Sequence, residues 1–181
     1  MQDGLLRLDS NHGEVLNLQE THPEWRLWAL TNSDHIIADS MVNCGGQMYI
    51  LDGNKFYLYD SKQDELKEIA SDEMLTPGRV HVLAAVDNLV FVIWHNMVHC
   101  YNTETGIWTR VADMNHHHYY PEAIGINGAL YVLDGYGGPM EVYDVDTNLW
   151  TVIEERATQR PVSNAFLINR RDILKIISTS D

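Results

Sequence analysis

Short apolar runs separated by turn residues recur along the chain, and the clearest set lies between residues 122 and 153. The first run, at 122–127, ends in Asn127-Gly128, a dipeptide typical of two-residue hairpin turns. Three more runs, rich in β-branched and aromatic residues, follow at 129–133, 140–144 and 149–153. The pattern predicts four short antiparallel strands. No stretch of ten or more residues has the 3.6-residue apolar period of a helix.

The pattern repeats, and three tyrosines measure its period. Tyr59, Tyr101 and Tyr143 are spaced 42 residues apart, and Trp108 and Trp150 follow the last two of them after seven residues. A fixed period of this size is the signature of a repeat architecture. Four short strands bury little surface alone, so neighbouring units are expected to stack as propeller blades. The repeated aromatic residues are expected to pack between adjacent blades.

The stretch from 127 to 150, NGALYVLDGYGGPMEVYDVDTNLW, resembles the kelch repeat. It has the tight turn, the Leu-Tyr-Val strand with a glycine after it, then Tyr-Asp and then Trp. The resemblance covers roughly residues 36–177 and touches 5–29. It implies an all-β fold, a kelch-type β-propeller segment of four-stranded antiparallel blades. The sequence departs from the family at the paired glycines after the second strand, which read Asp52-Gly53, Trp94-His95 and Asp134-Gly135.

We expect residues 1–181 to form a single propeller region. Its predicted parts are a partial blade at 1–36, full blades at 37–76, 77–118 and 119–160, and a partial blade at 161–181. A segment of a larger propeller is the favoured interpretation, because the first residues start inside a blade. The alternative is that the two partial blades combine and close a small four-bladed ring.

The chain is acidic, with 26 Asp and Glu against 12 Lys and Arg and a formal net charge of −14. Nucleic acid phosphates need a basic footprint, so duplex DNA or RNA is not an expected partner. The charge favours solubility and basic partner segments. The sequence shows no charged-then-apolar leader, no N-x-S/T site and no apolar run long enough for a membrane span. Two cysteines in different repeats give no disulfide framework, so a cytoplasmic, reducing location is expected.

The triple histidine His116-His117-His118 is the feature that most resembles a metal site. A zinc site needs three or four ligands in suitable geometry, and no second cluster lies at ligand spacing. We therefore expect a surface loop between two blades that contributes to partner recognition. Neither a metal nor another cofactor is expected.

Acid pairs such as Asp144 and Asp146 invite comparison with a hydrolase, but they fall at turn positions, where aspartate accepts local backbone hydrogen bonds. The sequence contains no nucleophile elbow, phosphate-binding glycine loop or catalytic Cys–His signature. The copper-radical oxidase branch of the kelch superfamily needs a set of Tyr, His and crosslinked Cys ligands, and no matching set is visible. We expect no enzymatic activity.

Propeller strands form a scaffold, and recognition is expected in the loops. In each blade the loop between the second and third strands should share a face with the loops that join successive blades. In kelch substrate receptors, which the sequence resembles, that face holds peptide segments. Arginine offers bidentate contacts to carboxylates, and tyrosine offers rigid amphipathic area. The predicted partner-binding residues are Asn54, Arg79, His95, His118, Tyr136 and Arg160.

The resemblance is strongest to the kelch domain of BTB–kelch proteins. It implies a protein-binding module that recruits a protein or peptide substrate for ubiquitination. A cullin–RING ligase would be reached through domains that this stretch does not include. The alternative is a structural module, such as an actin-associated cytoskeletal scaffold. Neither reading involves nucleic acid or a membrane.

Overall fold

The computed structural model describes residues 40–60, 63, 65–69, 75 and 82–153, together with the backbone of three strands between residues 4 and 28. These residues form fifteen strands. They are β1 Gly4–Leu8, β2 Gly13–Asn17, β3 Trp25–Trp28, β4 Ser40–Cys44, β5 Gln47–Asp52, β6 Lys55–Asp60, β7 Glu65–Ile69, β8 Val82–Val86, β9 Leu89–Trp94, β10 Met97–Asn102, β11 Ile107–Arg110, β12 Glu122–Ile126, β13 Ala129–Leu133, β14 Met140–Asp144 and β15 Leu149–Ile153.

The strands form three four-stranded antiparallel sheets, β4–β7, β8–β11 and β12–β15, and a three-stranded sheet, β1–β3. In each sheet, strands that follow one another in the chain are neighbours, as in a propeller blade. The predicted all-β fold is therefore confirmed, with no helix in the described residues. Consequently none of these residues belongs to a helix long and apolar enough to cross a membrane. The blade boundaries stay a prediction, because they fall largely in stretches outside the described residues.

The turn between the first and second strands of the β12–β15 sheet lies at Asn127-Gly128, as predicted, and the β4–β7 sheet has the same turn at Gly45-Gly46. Gly45 and Gly46 have φ angles of 62° and 82°, and Asn127 and Gly128 have φ angles of 51° and 78°. Two consecutive positive φ angles define a type I′ turn, whose twist matches that of the flanking strands. Glycine and asparagine adopt this conformation at little cost, so these dipeptides set the register of both hairpins.

The first strands of successive sheets lie side by side, β4 against β8 and β8 against β12. The Leu83 amide of β8 donates a hydrogen bond to Ser40 Oγ of β4 at 2.9 Å. Between β8 and β12 the backbones approach so closely that a Cβ at Gly125 would lie 1.9 Å from the Ala85 carbonyl oxygen. These contacts place the first strands at the inner edge, where propeller blades converge.

Aromatic side chains join the sheets, as the repeat predicts. The Tyr143 ring packs edge-on against Phe91 of the preceding sheet at 5.8 Å and lies 5.0 Å from Trp150. One sheet earlier, Tyr101 and Trp108 pack against Phe56 at 5.5 and 5.1 Å. In the second and third full sheets, the third-strand tyrosine and the fourth-strand tryptophan thus pack on the sheet before them.

Both cysteines are free thiols buried between sheets. Cys44 donates a hydrogen bond to the Asp87 carbonyl oxygen at 3.2 Å, which links the first full sheet to the next. Burial, with a smaller contribution from Cys44, raises the pKa of Cys100 to about 12. Since the thiolate is the reactive form, Cys100 is a packing residue.

Candidate functional site: the loop face of two blades

Three loops from the second and third full sheets meet at one end of the blades, and we call this surface the loop face. It consists of the β9–β10 turn at His95-Asn96, residues 114–120 between β11 and β12, and residues 134–139 between β13 and β14. The His118 amide donates to the His95 carbonyl at 3.3 Å, and the Gly135 amide donates to the Tyr119 carbonyl at 3.0 Å. The predicted convergence of the two loop sets is therefore observed for these three loops.

A buried carboxylate organises the loop that joins the two blades. Glu141 of β14 has no exposed surface. Its Oε2 accepts hydrogen bonds from the Asn115 amide and Nδ2, both at 2.8 Å. Its Oε1 accepts from the His116 amide at 2.8 Å, His116 Nδ1 at 3.2 Å and His118 Nε2 at 3.1 Å. Burial alone would raise the pKa of Glu141, but the hydrogen bonds from Asn115, His118 and His116 outweigh it and lower the pKa.

His118 does not lie on the surface, contrary to the expectation of an exposed loop residue. Its side chain is fully buried, so it is not available to a partner. The physical reason is that a buried carboxylate is costly unless donors surround it, and His118 is one of the donors to Glu141. Its other ring nitrogen, Nδ1, lies 3.9 Å from Asp134 Oδ2. His118 therefore positions the loop from beneath.

Asp134 stands where the kelch pattern has its first glycine, and it holds the β13–β14 loop together. It is 7 % exposed. Its Oδ2 accepts the Tyr119 amide at 3.0 Å, and its Oδ1 accepts the amides of Tyr136 at 2.8 Å and Gly138 at 3.3 Å. One side chain thus fixes two loops from neighbouring sheets. The glycine after it remains necessary, because a Cβ at Gly135 would lie 2.4 Å from the Tyr120 carbonyl oxygen.

Above this buried network lies a group of aromatic side chains that we call the aromatic patch. It comprises His95, His117, Tyr119, Tyr120 and Tyr136. The three tyrosines are 54 %, 67 % and 64 % exposed. The Tyr120 and Tyr136 rings lie 5.7 Å apart at an angle of 80°, and His95 lies 5.6 Å from Tyr119 and 5.9 Å from His117. The patch therefore consists of two ring groups, Tyr120 with Tyr136 and His95 with His117 and Tyr119, which are connected through the adjacent residues Tyr119 and Tyr120.

Two residues of the patch have backbone conformations that favour glycine. His95 has a φ angle of 55° and Tyr120 has a φ angle of 48°. In the β5–β6 turn the residue equivalent to His95 is Gly53, with a φ angle of 58°. The β9–β10 turn has no glycine, and His95 nevertheless adopts the left-handed conformation that Gly53 has in the β5–β6 turn. Non-glycine residues in this region store strain of order 1–3 kcal/mol each, and such strain clusters at functional sites.

No protein-family model matches the chain. An F-box/kelch-repeat protein of Arabidopsis thaliana is 34 % identical over 79 residues. The similarity supports a kelch-repeat assignment. The aligned part is 39 % of this chain and 23 % of the relative, so the chain matches less than a quarter of that kelch-repeat protein. The three four-stranded sheets agree with kelch blades.

Two of the predicted kelch-face residues lie in the loop face, Tyr136 against Tyr120 and His95 against Tyr119. Asn54 is exposed in the β5–β6 turn, and its contact with the patch is not seen among the described residues. Arg79 and Arg160 lie outside the described residues. The binding roles of all these residues except His118 stay predictions.

Sequence reasoning did not single out Tyr119, Tyr120, Asp134 or Glu141. A signal existed for Glu141, because side chains two apart in a strand share a face and Tyr143 marks that face as buried. A charged residue at a core position is a departure that calls for partners. The triple histidine supplies them, with His116 and His118 both bonded to Glu141. Among the residues that the structure describes, no group of three or more His, Cys, Asp or Glu is arranged to hold a metal ion.

Proposed function

We propose that the chain is a protein-interaction module that binds its partner through the aromatic patch. The observation that carries the proposal is that three tyrosines, each more than half exposed, come from two separate loops to one surface. Tyrosine is enriched at protein interfaces because it combines a large apolar area with a polar tip. Exposing such a group to water is unfavourable unless a partner covers it.

The network beneath the patch supports the same conclusion. Glu141 and Asp134 together fix both loops through hydrogen bonds to their backbone amides. A surface held in one conformation before binding loses less conformational entropy when its partner arrives. Tyr120 has a left-handed backbone conformation, which costs conformational free energy that the rest of the fold must offset.

We propose that the whole protein is a BTB–kelch adaptor that serves a cullin–RING ubiquitin ligase in the cytoplasm. In this proposal the present chain is the propeller that recognises the substrate. Its support is the close kelch pattern at residues 127–150 and the similarity to a kelch-repeat relative. The second candidate is an actin-associated scaffold. Co-purification of a cullin with the full-length protein favours the adaptor, and co-sedimentation with actin filaments without a cullin favours the scaffold.

The interaction surface can be tested with two matched double variants in the full-length protein. Tyr120→Ala/Tyr136→Ala removes two exposed rings of the patch. Ile107→Ala/Leu149→Ala removes two side chains that are 60 % and 62 % exposed at the starts of β11 and β15, at the opposite end of the blades. We expect the first variant to lose partners captured by crosslinking in cells and the control to retain them. Loss in the control with retention in the tyrosine variant would place the binding surface at the other end.

A further inference from the structure

The aromatic patch belongs to a strongly acidic stretch of the chain. Residues 82–153 contain eight Asp and Glu but a single basic residue, Arg110. That guanidinium is already paired, because its Nη2 lies 2.9 Å from both carboxylate oxygens of Asp113. Within these residues no unpaired cation is therefore available to an anionic ligand. A negative field favours ligands of positive charge.

One acidic side chain also lies next to the patch in the chain. Glu122 begins β12, two residues after Tyr120, and is partly exposed. Asp113 adds no net charge at this end, because it is paired with Arg110. The faces of the tyrosine rings themselves carry negative charge density, which attracts Lys and Arg. The rings and the Glu122 carboxylate thus have the same preference.

We propose that the aromatic patch binds a cationic peptide segment of the partner, with an Arg or Lys side chain against Tyr120 and Tyr136. The two rings stand 80° apart, so they present faces in two directions. A guanidinium can stack on one ring and direct its N–H edge toward the other, which favours arginine over lysine. The assignment rests on the proposed function and specifies the chemistry of the partner.

The test uses immobilised nonapeptide pools with degenerate flanks and a fixed central pair, Arg-Arg, Ala-Ala or Glu-Glu. Retention of the purified protein is measured at several salt concentrations. We expect the order Arg-Arg, then Ala-Ala, then Glu-Glu. Tyr120→Ala/Tyr136→Ala should weaken binding to the Arg-Arg pool by about fivefold to thirtyfold, given the usual strength of two exposed cation–π contacts.

Control variants separate ring contacts from general attraction to an acidic protein. Tyr120→Phe/Tyr136→Phe keeps both rings and should retain binding, as should Ile107→Ala/Leu149→Ala. All three double variants leave the net charge unchanged, and unchanged thermal melting confirms that each is folded. The inference is overturned if Tyr120→Ala/Tyr136→Ala is retained on the Arg-Arg pool as well as the natural protein. It is also overturned if the natural protein is retained equally on all three pools or on none of them.

A second result would also overturn the inference: the natural protein prefers the Glu-Glu pool, and Arg79→Ala/Arg160→Ala loses this preference. The partner segment would then be anionic rather than cationic. In that outcome the protein-interaction role stands and only the partner chemistry changes. The proposed function itself fails if the captured partner crosslinks away from Tyr120 and Tyr136. The two failures are therefore distinguishable.

Discussion

Replacing Glu141 with glutamine should be one of the most destabilising isosteric changes in the protein. The two carboxylate oxygens accept five hydrogen bonds, two on Oε2 from Asn115 and three on Oε1 from His116 and His118. Glutamine keeps the shape but has one oxygen. If that oxygen takes the Oε1 position, its NH₂ group must face the two donors of Asn115.

The size of the effect follows from the donors left without an acceptor. Each unsatisfied buried donor costs about 1–3 kcal/mol, and the glutamine NH₂ group leaves both donors of Asn115 without an acceptor. We expect Glu141→Gln to lower the free energy of unfolding by about 3–5 kcal/mol. Glu104→Gln, at an exposed turn position, is the matched control and should change it by less than about 0.5 kcal/mol.

The pH dependence provides a second signature. Because the folded pKa of Glu141 is lowered, its contribution to stability is fully present above the unfolded pKa of about 4.3. That contribution is lost as pH falls through the lower folded pKa. The difference in unfolding free energy between the natural protein and Glu141→Gln should therefore be constant near neutral pH and shrink in acid.

Urea unfolding followed by tryptophan fluorescence at a series of pH values measures both quantities. The reasoning is refuted if Glu141→Gln unfolds within about 1 kcal/mol of the natural protein at pH 7. It is also refuted if the difference grows on acidification, because the buried group would then be neutral in the folded state.

Two further substitutions and one spectroscopic measurement test the fold. Trp150→Ala should cost about 3 kcal/mol, because it removes packing against Tyr143 and the Nε1 hydrogen bond to the Ala112 carbonyl at 2.8 Å; an unchanged melting temperature would show that this aromatic is not part of the core. Gly125→Ala should cost about 3 kcal/mol or more in urea unfolding, since its Cβ would collide with the Ala85 carbonyl of β8, and a neutral result would argue against the close approach of the inner strands. Far-ultraviolet circular dichroism should show a β spectrum, and a helix content above about a quarter would contradict the propeller.

The repeat made the strands predictable, because each copy carries its own turn chemistry. Asn127-Gly128 turns where it was expected, and the aromatic positions at Tyr143 and Trp150 pack between sheets as expected. Local pattern alone sufficed for these features. The repeated spacing also predicted which loops share a face, and the kelch resemblance selected Tyr136 in one of them; its binding role stays a prediction.

The interior of the loop face was not predictable in the same way. His118 is a polar residue in a loop, and composition alone indicates an exposed side chain. Its burial depends on Glu141, which lies 23 residues later on another strand. Such a pairing is visible only once two blades are packed together. Glu141 itself was not predicted, because a strand is recognised by its apolar residues and a single charged residue among them does not change the assignment.

The components of the aromatic patch and its support lie within a short span of chain, from Trp94 to Glu141. The hydrogen bonds that hold the patch join residues 15 to 26 positions apart, which is short-range for a β protein. Contacts of short sequence separation form quickly and do not wait for distant segments. During synthesis the surface can therefore assemble as soon as β14 has left the ribosome, before the rest of a propeller is made. Recognition would then be a property of two neighbouring blades, transferable with them into propellers of different sizes.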